Sequence, residues 1–155
     1  NWRISTKPGG SPGESDPDPS QDTDSDALPD SWEYLHFGNL QQTATNDPDH
    51  DGYANLLEFA LGSKPAKATS INHPAAGLHQ GTHLTLTFRR PANLQGWTYR
   101  VEVSADLQNW QAGSTHVETF STTSDGDEEI ITARDTTPVS SSTSTRFIRL
   151  VIESP

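Results

Sequence analysis

The chain has 155 residues, a formal net charge of −11 and only 30% hydrophobic residues, which allows one domain or two small ones but no single large core. The absence of Cys excludes disulfides, zinc–thiolate sites and thiol catalysis. No apolar run approaches the roughly 18 residues of a membrane span, and no basic patch exists to release the counterions of nucleic acid.

The charge is uneven. Residues 14–58 hold twelve Asp and Glu and no Lys or Arg, while the remainder holds nine acids and ten bases. The chain also lacks Met, so a fragment or processed piece of something longer is expected. No signal peptide is visible, and a fragment would not show one.

Residues 1–21 read as a linker or the end of a preceding domain. Pro8 to Gly13 and Asp16 to Pro19 are punctuation without periodicity. Trp2 and Ile4 are the only large apolar residues there and fit the last strand of such a domain. Pro17 and Pro19 forbid a helix leading into the acidic segment that begins at Asp22.

Residues 22–62 carry two copies of one acidic pattern, offset by 25 residues. Its positions 1, 3 and 5 are Asp22, Asp24 and Asp26 in the first copy and Asp47, Asp49 and Asp51 in the second. Position 9 is Asp30 or Asn55, and position 12 is Glu33 or Glu58. This is the ligand spacing of an EF-hand calcium loop. Calcium takes six to eight oxygens at roughly 2.3–2.6 Å, and three carboxylates on alternate residues of a turning backbone can converge on one point. The backbone carbonyls of Leu28 and Tyr53 at position 7, a water held by position 9 and a bidentate Glu at position 12 complete each shell. Magnesium fits worse, because it prefers octahedral geometry at about 2.0–2.1 Å. Two bound Ca²⁺ ions are expected. Position 6, where the loop turns sharply, is Gly52 in loop two but Ala27 in loop one. Left-handed geometry costs an L-residue roughly 1–2 kcal/mol. Loop one is therefore expected to bend differently or bind more weakly.

A short helix should follow each loop start. Asp30 and Glu33 have the spacing of a capping box, and Gly38 is a stop. Asn55 and Glu58 repeat the device, with Gly62 and Pro65 ending the second helix. Isolated helices of about two turns are unstable in water. These two are expected to pack through Trp32, Leu35, Leu57 and Leu61.

Residues 63–81 read as a connector. From residue 82 to 155 the period is two. Leu84, Leu86 and Phe88 alternate with Thr; Tyr99, Val101 and Val103 alternate with Arg100 and Glu102. A less regular stretch runs from Trp110 to Phe120, Asp125 and Gly126 mark a hairpin turn before 129–134, and a last strand covers Phe147 to Ile152. Five or more short strands predict a mainly β chain: a small antiparallel β-sandwich preceded by the two-helix, double-loop segment.

Other chemistry is sparse. His79 and His83 read as surface histidines, and His50 sits at loop position 4, which does not point at the ion. No nucleophile elbow, phosphate loop or zinc-protease motif is present. The Ser and Thr of 140–145 read as a polar loop. Nearly all carboxylates suited to acid–base work are claimed by calcium, so no enzyme activity is expected. Tyr99 and Trp110 are expected in the sandwich core, with Trp97 the better candidate for an exposed ring.

The loop segment, residues 16–62, resembles thrombospondin type 3 repeats and dockerin modules, which use such loops without a full entering helix. Dockerins often carry Ser or Thr pairs on the helix where this chain has Ser31–Trp32 and Leu56–Leu57, so the resemblance does not extend to a cohesin partner. Residues 22–152 are similar to a C-terminal arrangement in large secreted proteins of environmental bacteria. The matching parts are Trp32–Glu33, Phe37–Gly38, Asp47 to Phe59, and Tyr99 to Trp110 with its Val101, Glu102, Ser104, Asp106 and Leu107. Residues 1–13 resemble the closing stretch of lamin-tail-like domains. These resemblances imply a secreted or cell-surface, calcium-binding accessory or spacer module, monomeric and joined to neighbouring domains of a longer chain. Two readings stay open beside it: a carbohydrate-binding module of an extracellular enzyme, with a polysaccharide partner, and a dockerin-like protein-docking module.

Overall fold

The structure, a computed structural model, describes residues 21–69, 72–140 and 145–155. The expectations for residues 1–20, and for most of the polar loop at 140–145, lie outside the described residues. The chain divides into two compact units, residues 1–59 with 63–70, and residues 60–62 with 71–155.

The first unit contains helix α1, Asp30–Phe37, and most of helix α2, Asn55–Leu61. Gly38 closes α1 in the left-handed conformation (φ 75°), donating its N–H to the Tyr34 carbonyl at 3.1 Å. Past α2, Gly62 takes φ 71°, and the Ser63 N–H reaches the Glu58 carbonyl at 2.9 Å. The capping box does not form. Asp30 lies inside α1, the preceding residue is Pro29, and no side chain caps that end. Glu33 cannot cap because its carboxylate, fully buried, accepts no hydrogen bond at all. Helix packing also differs from expectation at Leu35, which is 68% exposed. Trp32 does make a contact between the helices, with its ring edge-on to Phe59 at 5.6 Å. Of the eight residues of α1, Glu33 alone is fully buried.

The second unit is mainly antiparallel β, with six strands in two sheets among the described residues. Strands β1 (Ala75–His79), β2 (His83–Pro91), β4 (Val117–Asp125) and β5 (Glu128–Asp135) form one sheet in the order β1-β2-β5-β4. Strands β3 (Thr98–Ser104) and β6 (Phe147–Glu153) form the other. Register follows the apolar alternation. Leu86 faces Ala133 and Phe88 faces Ile131 across β2 and β5, while Val101 faces Leu150 and Val103 faces Ile148 across β3 and β6. Leu86, Phe88, Val103 and Ala133 are the buried apolar centre. Asp125 and Gly126 make the expected hairpin, with Asp125 opposite Glu128 and Gly126 at φ 66°.

Two expectations are corrected here. The stretch read as a connector holds β1, which pairs with β2 along its length. Its residues Ala75, Ala76 and Gly77 have low strand propensity and are exposed, so no alternation marked them. Trp110 is not a core residue. Its ring lies under the Arg149 guanidinium at 3.9 Å, and Arg149 pairs with Glu102 on the face of β3 opposite Val101 and Val103. Tyr99 does pack inward, stacked on Phe88, and its O–H donates to the Ala60 carbonyl at 2.5 Å. Burial pushes that hydroxyl up to about 12. The Asn72 side-chain amide meets the carbonyls of Leu61 and Gly62 at 3.1 and 3.0 Å. The last turn of α2 is thereby held within the β unit.

Candidate metal-binding loops

The two loops share three matched bonds. The Asp30 N–H donates to the Gln21 carbonyl at 2.8 Å, and the Asn55 N–H to the Asn46 carbonyl at 2.8 Å. Asp22 accepts the Ala27 N–H at 2.9 Å, and Asp47 accepts that of Gly52 at 3.0 Å. Asp26 accepts the Leu28 N–H and Asp51 the Tyr53 N–H, each at 2.9 Å. Each carboxylate thus closes a small turn of the backbone that carries it. Left-handed residues fall at the same places: Ser25 and His50 at φ 62°, Ala27 at 76° and Gly52 at 92°. Loop one therefore does not bend differently. Ala27 takes the conformation that glycine takes in loop two and bears its strain.

The folding gathers acids. Oxygens of Asp22, Asp24 and Asp30 lie within 4.8 Å of one another, as do those of Asp24, Asp26 and Glu33, and those of Asp47, Asp49 and Asp51. Each cluster can hold a metal ion. Like charges at that range repel, and a cation or protons would relieve that repulsion.

Burial separates these clusters from ordinary surface acids. Glu33 and Glu58 are 0% exposed, and neither oxygen of either carboxylate accepts a hydrogen bond. Asp47 Oδ1, Asp49 Oδ2 and Asn55 Oδ1 are likewise buried and unpartnered. An ionised carboxylate removed from water without a partner costs several kcal/mol. Burial, and then the neighbouring aspartates, push both glutamates up to about 7. The donors are hard oxygens throughout, without Cys or His, a set suited to magnesium, calcium or manganese.

The loops differ at position 9. Asp30 is tied by both oxygens to Thr23, whose N–H lies at 2.7 Å and hydroxyl at 2.5 Å. Asn55 turns its amide N–H to the Thr43 carbonyl at 2.9 Å and leaves its oxygen unpartnered. Position 7 is placed in both loops by its own N–H, and the Leu28 side chain is fully buried beneath loop one. Glu58 is not within the 4.8 Å cluster of loop two, although Asp47, Asp49 and Asp51 all act on its charge.

Sequence reasoning missed Thr23, which grips Asp30, and the segment Thr43–Asn46, which lies against both loops. Neither carries a motif; Thr23 was legible only as a hydroxyl at position 2 of an acidic loop. His79 and His83 stand opposite each other at the β1–β2 hairpin and belong to no metal-competent cluster among the described residues. No described helix is long and apolar enough to cross a membrane.

No protein-family model, curated protein or solved structure matches the chain.

Proposed function

We propose that each loop binds one Ca²⁺ ion and that the chain is a calcium-stabilised, non-catalytic accessory or spacer module of a secreted bacterial protein. One observation carries the metal reading: Glu33 and Glu58, fully buried, accept no hydrogen bond, and each stands beside a set of converging aspartates. A chain does not bury four carboxylate oxygens unpartnered unless a cation or protons answer them. Calcium is favoured over magnesium because each loop offers six candidate groups and the position 12 carboxylate can give both oxygens, seven in all against magnesium's octahedral six. In loop one these are Asp22, Asp24, Asp26, the Leu28 carbonyl, Asp30 through water, and Glu33. In loop two they are Asp47, Asp49, Asp51, the Tyr53 carbonyl, Asn55 and Glu58.

The extracellular setting rests on the resemblance of the loops to thrombospondin type 3 repeats and dockerins and of residues 22–152 to a C-terminal arrangement in secreted bacterial proteins. Calorimetric titration with Ca²⁺ tests the reading. Two ions per chain are expected, and Glu33→Gln and Glu58→Gln should each remove one. A stoichiometry near zero at millimolar Ca²⁺ would overturn it.

The protein-docking reading has an observation in its favour: Tyr34 and Leu35 lie side by side, exposed, on α1. The carbohydrate-binding reading would rest on Trp97, since Tyr99 is stacked on Phe88 and Trp110 is capped by Arg149. Retardation on immobilised polysaccharide that Trp97→Ala abolishes would favour it.

A further inference from the structure

One edge of β3 pairs with β6 along its whole length, from Thr98 opposite Glu153 to Ser104 opposite Phe147. The other edge carries a ladder that stops after one rung. There Val103 and Gln111 exchange both backbone hydrogen bonds, each at 2.9 Å. Along an antiparallel strand every second residue turns its N–H and C=O to the same side. Val101 and Tyr99 therefore present theirs on the side that Val103 gives to Gln111. No described segment follows to receive them. The chain turns off at Gly113, φ 85°, whose carbonyl accepts the His116 and Val117 N–H groups at 2.9 Å.

That open edge borders a cleft of about 550 Å³ within the β unit. Two strands face four, and the inner face of the larger sheet is left partly open. Ile131 is half-buried there, while Thr119 and Thr122, opposite Ala133 and Ile131, are exposed. These three line the cleft with Val101 and Tyr99. Its charged groups are already answered. Arg90 meets Glu129 at 2.7 Å, Arg100 meets Glu102 at 2.9 Å and Glu153 at 3.1 Å, and Glu118 is paired with Arg134. An ionic ligand finds no unpaired charge there. What the cleft does offer is a row of backbone donors and acceptors beside apolar and hydroxyl-bearing side chains. An extended polypeptide complements both.

We propose that the cleft takes an extended segment of a partner polypeptide, which adds beside β3 as the third strand of the smaller sheet. The guest runs antiparallel to β3, in line with the Gln111 rung. Its residues opposite Val101 and Tyr99 share their face, since cross-strand pairs point the same way, and so lie toward Ile131, Thr119 and Thr122. Apolar side chains suit those two places, and a polar one suits the residue between them, which points outward. Roughly five residues span both rungs. Main-chain bonds give such a guest its affinity, so many sequences of this pattern should bind. Nothing in this proposal depends on the calcium sites.

The probe is the peptide acetyl-Lys-Thr-Val-Thr-Val-Thr-Lys-amide, titrated to about 1 mM into the isotope-labelled full chain and followed by NMR. The Tyr99 and Val101 amides should shift and exchange their hydrogens more slowly, while the Arg100 amide, turned to β6, should not slow. The same peptide methylated at both Val nitrogens keeps its side chains and loses the two donors. Its midpoint should rise about tenfold or more, as the loss of two backbone bonds implies. Thr122→Trp fills the cleft from its floor and should abolish binding, whereas Thr123→Trp, on the opposite face of β4, should leave it intact. No response at Tyr99 and Val101, equal binding of the methylated peptide, or binding that survives Thr122→Trp each overturns the strand slot, and the first two need no variant to fold. Movement of the same amides when the chain alone is diluted would make a second copy the occupant and overturn the assignment to a different partner. Matching shifts with maltohexaose in place of the peptide would overturn it in favour of a sugar.

Discussion

Each unit of this molecule buries carboxylates, and the two answer them in opposite ways. In the β unit, Asp135 is fully buried and receives Arg146 through two bonds of 2.7 and 2.8 Å, with a third from the Thr137 N–H. Glu102 is bonded by Arg100 and Arg149, which hold it below the usual carboxylate range. In the loop unit, Glu33 and Glu58 are buried as deeply, accept nothing, and are pushed up to about 7. One unit carries its own counterions in its sequence. On the proposed reading the other leaves the counterion to solution, and its stability follows what the solution holds.

The largest effect comes from removing that counterion. At free Ca²⁺ about 100 times the dissociation constant each independent site contributes roughly 2.7 kcal/mol, and two contribute about 5, comparable with the whole stability of a small domain. EDTA should open amide exchange across 22–59, while strands β2, β3, β5 and β6 stay protected. Because Ala60–Gly62 are held by Tyr99 and Asn72, their amides should follow the β unit. Loss of protection in both units together would show that the division is not energetic.

The converse change makes the β unit behave like the loops. Arg146→Ala leaves Asp135 buried without its cation, which should cost about 3–5 kcal/mol. Thermal unfolding should show that loss equally with Ca²⁺ and with EDTA. Recovery of stability on adding Ca²⁺ would mean that the two units share a fate.

A smaller effect compares the loops with each other. Ala27→Gly should relieve left-handed strain and stabilise loop one by about 1 kcal/mol. Gly52→Ala should cost loop two about the same, since a Cβ there meets no atom within 4 Å and only the backbone angle objects. Calcium affinities of the two variants, measured per site, should move in opposite directions; no movement in either would discard the strain argument.

A further effect is set by pH. In the metal-free chain Glu33 and Glu58 bind protons more tightly when folded, near 7 against an ordinary 4.5. Between those values the folded state holds more protons than the unfolded one, so stability falls as pH rises through that window. Acidifying from pH 7.5 to 5 should therefore steady the metal-free loop unit and weaken calcium binding. Glu102 acts with the opposite sign: its contribution is present above the ordinary carboxylate value and is lost as pH falls through its depressed one. Denaturation in EDTA at several pH values checks both slopes, and parallel slopes in the two units would contradict the assignment.

The loops were legible because their pattern is local. Each candidate ligand lies within twelve residues of its loop start, and the pattern appears twice. Helix stops at Gly38 and Gly62 and the hairpin at Gly126 were readable for the same reason, since a positive φ selects glycine. The alternation of β2, β3 and β6 announced a sandwich of antiparallel strands. What it did not announce was β1, whose Ala and Gly residues pair through backbone alone.

Three matters were decided only by tertiary structure. Whether Glu33 caps a helix or faces the aspartates depends on where α1 points, and no spacing encodes that. Whether Trp110 fills the core or shelters under Arg149 depends on which face of β3 the following loop crosses. Where the Ala44 N–H bonds depends on a contact 18 residues distant in sequence. The physical reason is common to all three. A metal loop or a turn is specified by bonds between near neighbours, which the order of residues displays. Burial and long-range hydrogen bonds exist only once separate segments have been brought together, and an alanine's N–H carries no mark of what it will meet.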